Sequence, residues 1–147
     1  MKKDFELLLK DYQHALGLFR NQQLSRNYLF CLGMPCQILQ MNGISPSPFW
    51  MFQRTLNKML KKHELIWNEI ALLPYLLSQP LAVYRSRSDD FSRVVLAESE
   101  YSATIVLVIS STEHNGVLIN EVKSAYPKES ESLAVWEAQG LKIWPKK

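Results

Sequence analysis

The sequence predicts an α+β fold, with N-terminal helices packed on an antiparallel sheet of four strands or slightly more. Two observations carry that expectation. Before residue 80, apolar residues recur at spacings of 3 and 4; after it, short runs rich in Val, Ile, Leu and Tyr alternate with polar turns. The helices and strands are also grouped rather than interleaved, which argues against a parallel doubly wound sheet.

Residues 3–20 read as a helix, because Phe5, Leu8, Leu9, Tyr12, Leu16 and Phe19 form one apolar stripe. Tyr28–Leu32 is a short apolar run closed by Gly33 and Pro35, and Asn42-Gly43 marks a turn. Ser47-Pro48 reads as a helix start running to about Lys62: Ser47 can cap, and Pro48 lacks only an N–H that would be unpaired there. On that helix Phe52, Leu56, Met59, Leu60 and His63 share one face, and Arg54, Lys58, Lys61 and Lys62 form a basic stripe. Asn68 can cap a short helix that Pro74 ends or kinks, and Gln79-Pro80 closes the segment.

Strands are expected over Leu81–Ser86, Arg93–Glu98, Ala103–Ser110 and Val117–Ser124, with turns at 87–92, 99–102 and 111–116. Ile105–Ile109 is apolar on both faces and should be central. Ser130–Gln139 reads as a late helix with Gly140 just past its end, and Leu141–Trp144 as an edge strand.

The 147 residues are one domain's worth, and 47% hydrophobic with 21% charged is ordinary globular usage. Two cysteines, Cys31 and Cys36, exclude a disulfide-dense scaffold and a four-cysteine zinc site; their C-x4-C spacing is not that of a zinc knuckle. No apolar run approaches the roughly 20 residues that span a bilayer. Asp4, Glu6, Lys10 and Asp11 interrupt any signal-peptide core, so a cytoplasmic setting is expected, with delivery inside a larger chain left open. Charge is uneven. Residues 1–63 carry nine Lys/Arg against three acids, and residues 64–147 carry eight against eleven. A basic half suits a polyanion or an acidic partner; the plainer reading is a solvated helical face.

Three local features could carry chemistry. Lys61-Lys62-His63 places an imidazole among cations at a helix end, useful for proton transfer beside a phosphate, although lysines there also complement the helix dipole. Along Asn120–Lys128, simple alternation would put Asn120, Val122 and Ser124 on one face and Glu121 and Lys123 on the other, ending at Tyr126-Pro127. Tyr84-Arg85-Ser86-Arg87-Ser88 offers forked and hydroxyl hydrogen bonds to a phosphate, or is merely a soluble turn. There is no Gly-rich phosphate loop and no metal-ligand spacing among His14, His63 and His114.

Several segments occur in a recognisable order. Phe30-Cys31-Leu32-Gly33-Met34-Pro35 is similar to an LG-x-P opening. It is followed by Lys62-His63, Leu73-Pro74-Tyr75-Leu76-Leu77 with Pro80, a strand entering Arg85-Ser86, the apolar pair Val94–Glu98 and Ile105–Ile109, Ile119–Lys128, and Gly140-Leu141-Lys142-Ile143-Trp144. This order resembles the MuF C-terminal domain of phage and mobile-element proteins, attributed to the barnase–EndoU–colicin–RelE nuclease fold. Ala125 stands where that family usually has a β-branched residue. The resemblance covers about residues 28–147 and leaves 1–27 as a helical extension.

The resemblance implies a toxin-like endoribonuclease that binds RNA across its sheet. It would cut without metal or other cofactor, by attack of the 2′-OH on the adjacent phosphorus. It implies His63 as general base or acid, Lys62 and Arg85 beside the phosphate, and Ser124 and Tyr126 as orienting groups. Lys58, Arg54, Arg87 and Lys128 are further expected RNA contacts. A cognate immunity or antitoxin protein would be a partner, and no membrane is involved. The alternative is a non-enzymatic phage-derived domain that binds a partner or nucleic acid through its basic helix.

Overall fold

A computed structural model describes residues 2–62, 66–100, 104–128 and 130–145. Helix α1 (Lys2–Arg20) leads into strand β1 (Phe30–Gly33), α2 (Gln37–Met41), strand β2 (Phe49–Met51) and α3 (Gln53–Lys62). Two short helices follow, α4 (Trp67–Ala71) and α5 (Leu73–Ser78). Then come β3 (Ala82–Arg85), β4 (Ser92–Ala97), β5 (Ile105–His114), β6 (Val117–Pro127), α6 (Ser130–Ala138) and β7 (Lys142–Trp144). Ala103, the expected start of the third strand, lies outside the described residues, as does part of the turn expected at 99–102.

The α+β class holds, but the sheet is larger than four strands. Among the described residues it has seven, in the order β1-β2-β6-β5-β4-β3-β7. The antiparallel meander β3–β6 forms its middle, and β7 adds to β3 at one edge. The other edge departs from expectation. The helix expected from Ser47-Pro48 begins only at Gln53, because Phe49–Met51 is taken into the sheet. It pairs antiparallel with β1 and parallel with β6, and it buries Phe49 and Met51 completely. Burying two such side chains is worth about 1.5–3 kcal/mol each, which outweighs a local capping preference of about 1 kcal/mol.

Smaller differences have equally local causes. Asn68 lies inside the first turn of α4; its N-cap is Ile66, whose backbone N–H donates to Glu69 Oε1 at 3.3 Å. Pro74 opens α5 instead of ending a helix, a position where its missing N–H costs nothing. The strands β5 and β6 run on to a two-residue turn, Asn115-Gly116, with φ of 51° and 81°. Both residues are left-handed, as a type I′ hairpin requires.

Side chains alternate between two cores. Against the helices lie Val83, Val95, Leu107 and Val122, packed with Phe30, Leu56, Met59 and Ile70. On the outer face Tyr84, Val94, Leu96 and Val106 pack under Leu133 and Trp136 of α6. Helix α1 belongs to the inner core: Tyr12, Ala15 and Leu16 are buried in it, and Tyr12 Oη donates to the Ile70 carbonyl at 2.7 Å.

The expected alternation along β6 is interrupted. Val108 pairs with Ser124 while Ile109 pairs with Val122, so Lys123 is an extra, bulged residue. Asn120 and Val122 therefore face the helices, and Ser124 joins Tyr126 on the outer face. Asn120 is buried and ties down the preceding loop: its Nδ2 donates to the carbonyls of Ser45 (2.8 Å) and Ser47 (2.7 Å), and its Oδ1 accepts from Ser45 Oγ.

Candidate anion-binding cleft on the outer sheet face

The end of β3 and the end of α6 are stitched together. Helix α6 closes with Gly140 N–H donating to the Glu137 carbonyl (3.0 Å) and Leu141 N–H to the Trp136 carbonyl (3.2 Å), the paired bonds of a Schellman ending. Arg85 completes the junction: its backbone N–H donates to Leu141 O at 2.8 Å and its Nη2 to Gly140 O at 2.9 Å. The next residues turn sharply, with Ser86 Oγ 2.9 Å from Ser88 Oγ and accepting from the Ser88 N–H.

This junction borders a cleft of about 250 Å³. Its rim is Arg85, Ser86, Arg87, Ser88 and Tyr126, and its floor is Val94, Val108, Leu141 and Trp136. Among the described residues no acidic side chain lines it. The nearby carboxylate of Glu137 is turned to Lys142 (Nζ–Oε1 3.0 Å), which holds it below the usual carboxylate range, and it also accepts from Tyr84 Oη at 3.4 Å. Burial pushes the Tyr126 hydroxyl above its ordinary pKa, so it is a neutral donor at physiological pH. Lys128 sets its ammonium 4.4 Å from the centre of the Trp136 ring, adding a cation beside the floor. The arrangement can hold an oxyanion of phosphate type: cations, hydroxyls and a flat apolar wall meet in one recess.

Of the residues named from sequence, Arg85, Arg87 and Tyr126 line the cleft, and Lys128 reaches it through Trp136. Ser124 is half-buried on the same face, two residues before Tyr126. Arg54, Lys58 and Lys62 are not brought there. They are exposed on α3, whose Leu56 and Met59 are buried against the opposite face of the sheet. His63 lies outside the described residues. Trp136 is a cleft residue that sequence reasoning misses. Its only sequence signal is the i, i+3 pair with Leu133 in the late helix, which reads as core. Among the described residues no three His, Cys, Asp or Glu side chains are placed to share a metal ion, and no described helix is long and apolar enough to cross a membrane.

Comparison with known proteins adds one finding. The family model of the phage MuF-C-terminal domain matches residues 54–147, from the first turn of α3 through the cleft and β7. Helix α1, β1 and β2 precede the matched stretch. No curated protein and no solved structure matches the chain.

Proposed function

The chain belongs to the phage MuF-C-terminal domain family, and on that premise we propose that it is a metal-independent endoribonuclease domain of toxin type, which binds the scissile RNA phosphate in the outer-face cleft. The observation that carries this reading is the meeting of Arg85, Arg87, Ser86, Ser88 and Tyr126 in a recess with no acidic lining among the described residues.

In the proposed reaction the 2′-oxygen forms a bond to the adjacent phosphorus and the bond from phosphorus to the 5′-oxygen breaks. The products are a 2′,3′-cyclic phosphate and a free 5′-hydroxyl. A base takes the 2′-OH proton and an acid returns one to the leaving oxygen. The two guanidinium groups offset the charge that builds on the phosphoryl oxygens, and the neutral Tyr126 hydroxyl donates to one of them. Ser124 is a proposed orienting hydroxyl, and His63, the proton carrier that the resemblance implies, is held to a separate test because it directly follows Lys62, which is not brought to the cleft. In this reading RNA is the partner, a cognate immunity or antitoxin protein restrains the enzyme, and the setting is the cytoplasm of the producing or the target cell.

The test is cleavage of a mixed RNA in the presence of EDTA, with the product ends identified. Cyclic phosphate ends are expected, with kcat lowered about 100-fold in Arg87→Ala. No cleavage of any RNA, or full activity in Arg87→Ala and Tyr126→Phe, overturns the reading. His63→Ala tests a separate clause. Helix α3 lies against the opposite face, so unchanged cleavage in that variant would assign proton transfer to another group and leave the cleft's role in place. A second reading, a non-enzymatic docking domain, is favoured by the exposed row Arg54, Lys58, Lys61 and Lys62, which forms no ion pair among the described residues. It predicts an inert protein whose partner complex is lost on charge reversal of that row.

A further inference from the structure

A second basic trough lies on the helical side of the molecule and shares no lining residue with the cleft. It consists of two recesses, about 520 and 640 Å³, that meet at Gln53. In the first, the Arg54 guanidinium lies 4.2 Å from the centre of the Phe52 ring, and the His114 ring packs edge-on to Phe52 at 5.3 Å. Arg26 faces the same recess. In the second, Arg20 lies 4.6 Å from the centre of the Trp67 ring. The trough therefore carries an arginine stacked on an aromatic ring at each end.

Three features separate this from ordinary surface packing. Among the described residues no acidic side chain lines either recess, and Arg20, Arg26 and Arg54 form no ion pair. The geometry is pinned: Gln53 Nε2 donates to the carbonyls of Ser25 (2.8 Å) and Tyr28 (3.1 Å), which fixes the 25–28 loop against the start of α3. Finally, α3 continues the charge. Gln53, Asn57 and Leu60 line the trough, and Arg54, Lys58 and Lys61 follow one residue further round the helix.

We propose that this trough binds single-stranded nucleic acid, with phosphates against Arg20, Arg26 and Arg54 and bases stacked on the guanidinium and ring faces. Stacking an arginine on an aromatic ring fixes the guanidinium plane while leaving N–H edges free for phosphate. Unpaired bases supply the complementary flat faces, which a duplex keeps hidden. The proposal does not depend on the outer cleft being a catalytic site.

The test uses the full chain and two short fluorescein-labelled probes, an oligothymidylate and a 2′-O-methyl oligouridylate. Neither carries the free 2′-OH that the proposed cleavage needs, so binding is read apart from cutting. Fluorescence anisotropy should show binding of at least one probe, weakened by about tenfold or more in Arg26→Glu/Arg54→Glu, the scale expected when a stacked, charged partner of a base is removed. The slope of log affinity against log salt should shrink by about 0.7 for each phosphate that the variant no longer neutralises. Arg20→Gln should weaken binding in the same direction, while Lys10→Glu, exposed on α1, should stay within twofold. Unchanged affinity in both trough variants overturns the proposal. So does a blunt duplex that binds as tightly as the single strands, or polyglutamate that binds as tightly as either probe, which would assign the trough to an acidic protein.

Discussion

Tyr12 gives the sharpest test of how the first helix is held. Its side chain is 2% exposed, and its ring meets Phe30 edge-on with centroids 6.0 Å apart. Its hydroxyl donates to the Ile70 carbonyl across 58 residues of chain. Tyr12→Phe keeps the ring and removes that bond, which at neutral pH should cost about 1–2 kcal/mol. Alkaline pH then reverses the comparison. Burial holds the Tyr12 hydroxyl far above its ordinary pKa, so it stays protonated in the fold, whereas in the unfolded chain it ionises near pH ~10. Above that point the unfolded state binds fewer protons than the native state, and stability falls as pH rises. One such group contributes about 1.4 kcal/mol per pH unit. The variant lacks this loss, so its deficit should shrink above pH ~10 and vanish near pH ~11. Urea denaturation of both proteins at pH 8, 10 and 11, followed by circular dichroism, reads the difference; lysines and the other tyrosines titrate in both and cancel. A deficit that stays the same at pH 8 and 11 would mean that the hydroxyl is solvated and that α1 does not dock as described.

Two further substitutions probe the frame. Asn120→Ala should destabilise the protein by about 2–4 kcal/mol, because it strips the Ser45 and Ser47 carbonyls of their donor in a buried setting; the same urea titration measures it. Gly43→Ala forces a side chain onto a backbone at φ 101° and sets its Cβ 2.5 Å from Arg93 Nε, which donates to the Asn42 carbonyl at 3.1 Å. A cost of about 1–2 kcal/mol from the left-handed backbone alone should lower Tm by roughly 3–8 °C, and an unchanged melting curve would contradict that geometry.

The parts of the fold that can be read from sequence are those whose signals are local and long enough to repeat. The stripe from Phe5 to Phe19 gives α1 within a residue, and the β-branched runs after Pro80 give β3 to β7 in order. Strands β1 and β2 are not legible as strands. Four and three residues are too few for a period of two to show, and only pairing with each other and with β6 makes them extended. Ser47-Pro48 even points the other way, a local preference overridden by distant partners. The site follows the same rule. Arg85 and Arg87 stand out because they interrupt a strand ending, and Tyr126 because it ends the longest strand. Trp136 becomes part of the cleft only through the tie between Arg85 and the close of α6. The pairing of Arg20 with Trp67 links residues in different helices, and nothing near either residue announces the other.

The extra residue in β6 has a consequence for how this chain can vary. Removing Lys123 would leave Val122 opposite Ile109 and Ser124 opposite Val108 as they are now, so every flanking side chain would keep its side. A deletion at Ile119, Asn120 or Glu121 has no such slack and would turn a row of side chains inside out. Position 123 is thus an expansion joint: a codon lost there is absorbed, and the sheet shortens at that point without turning Tyr126 away from the outer face.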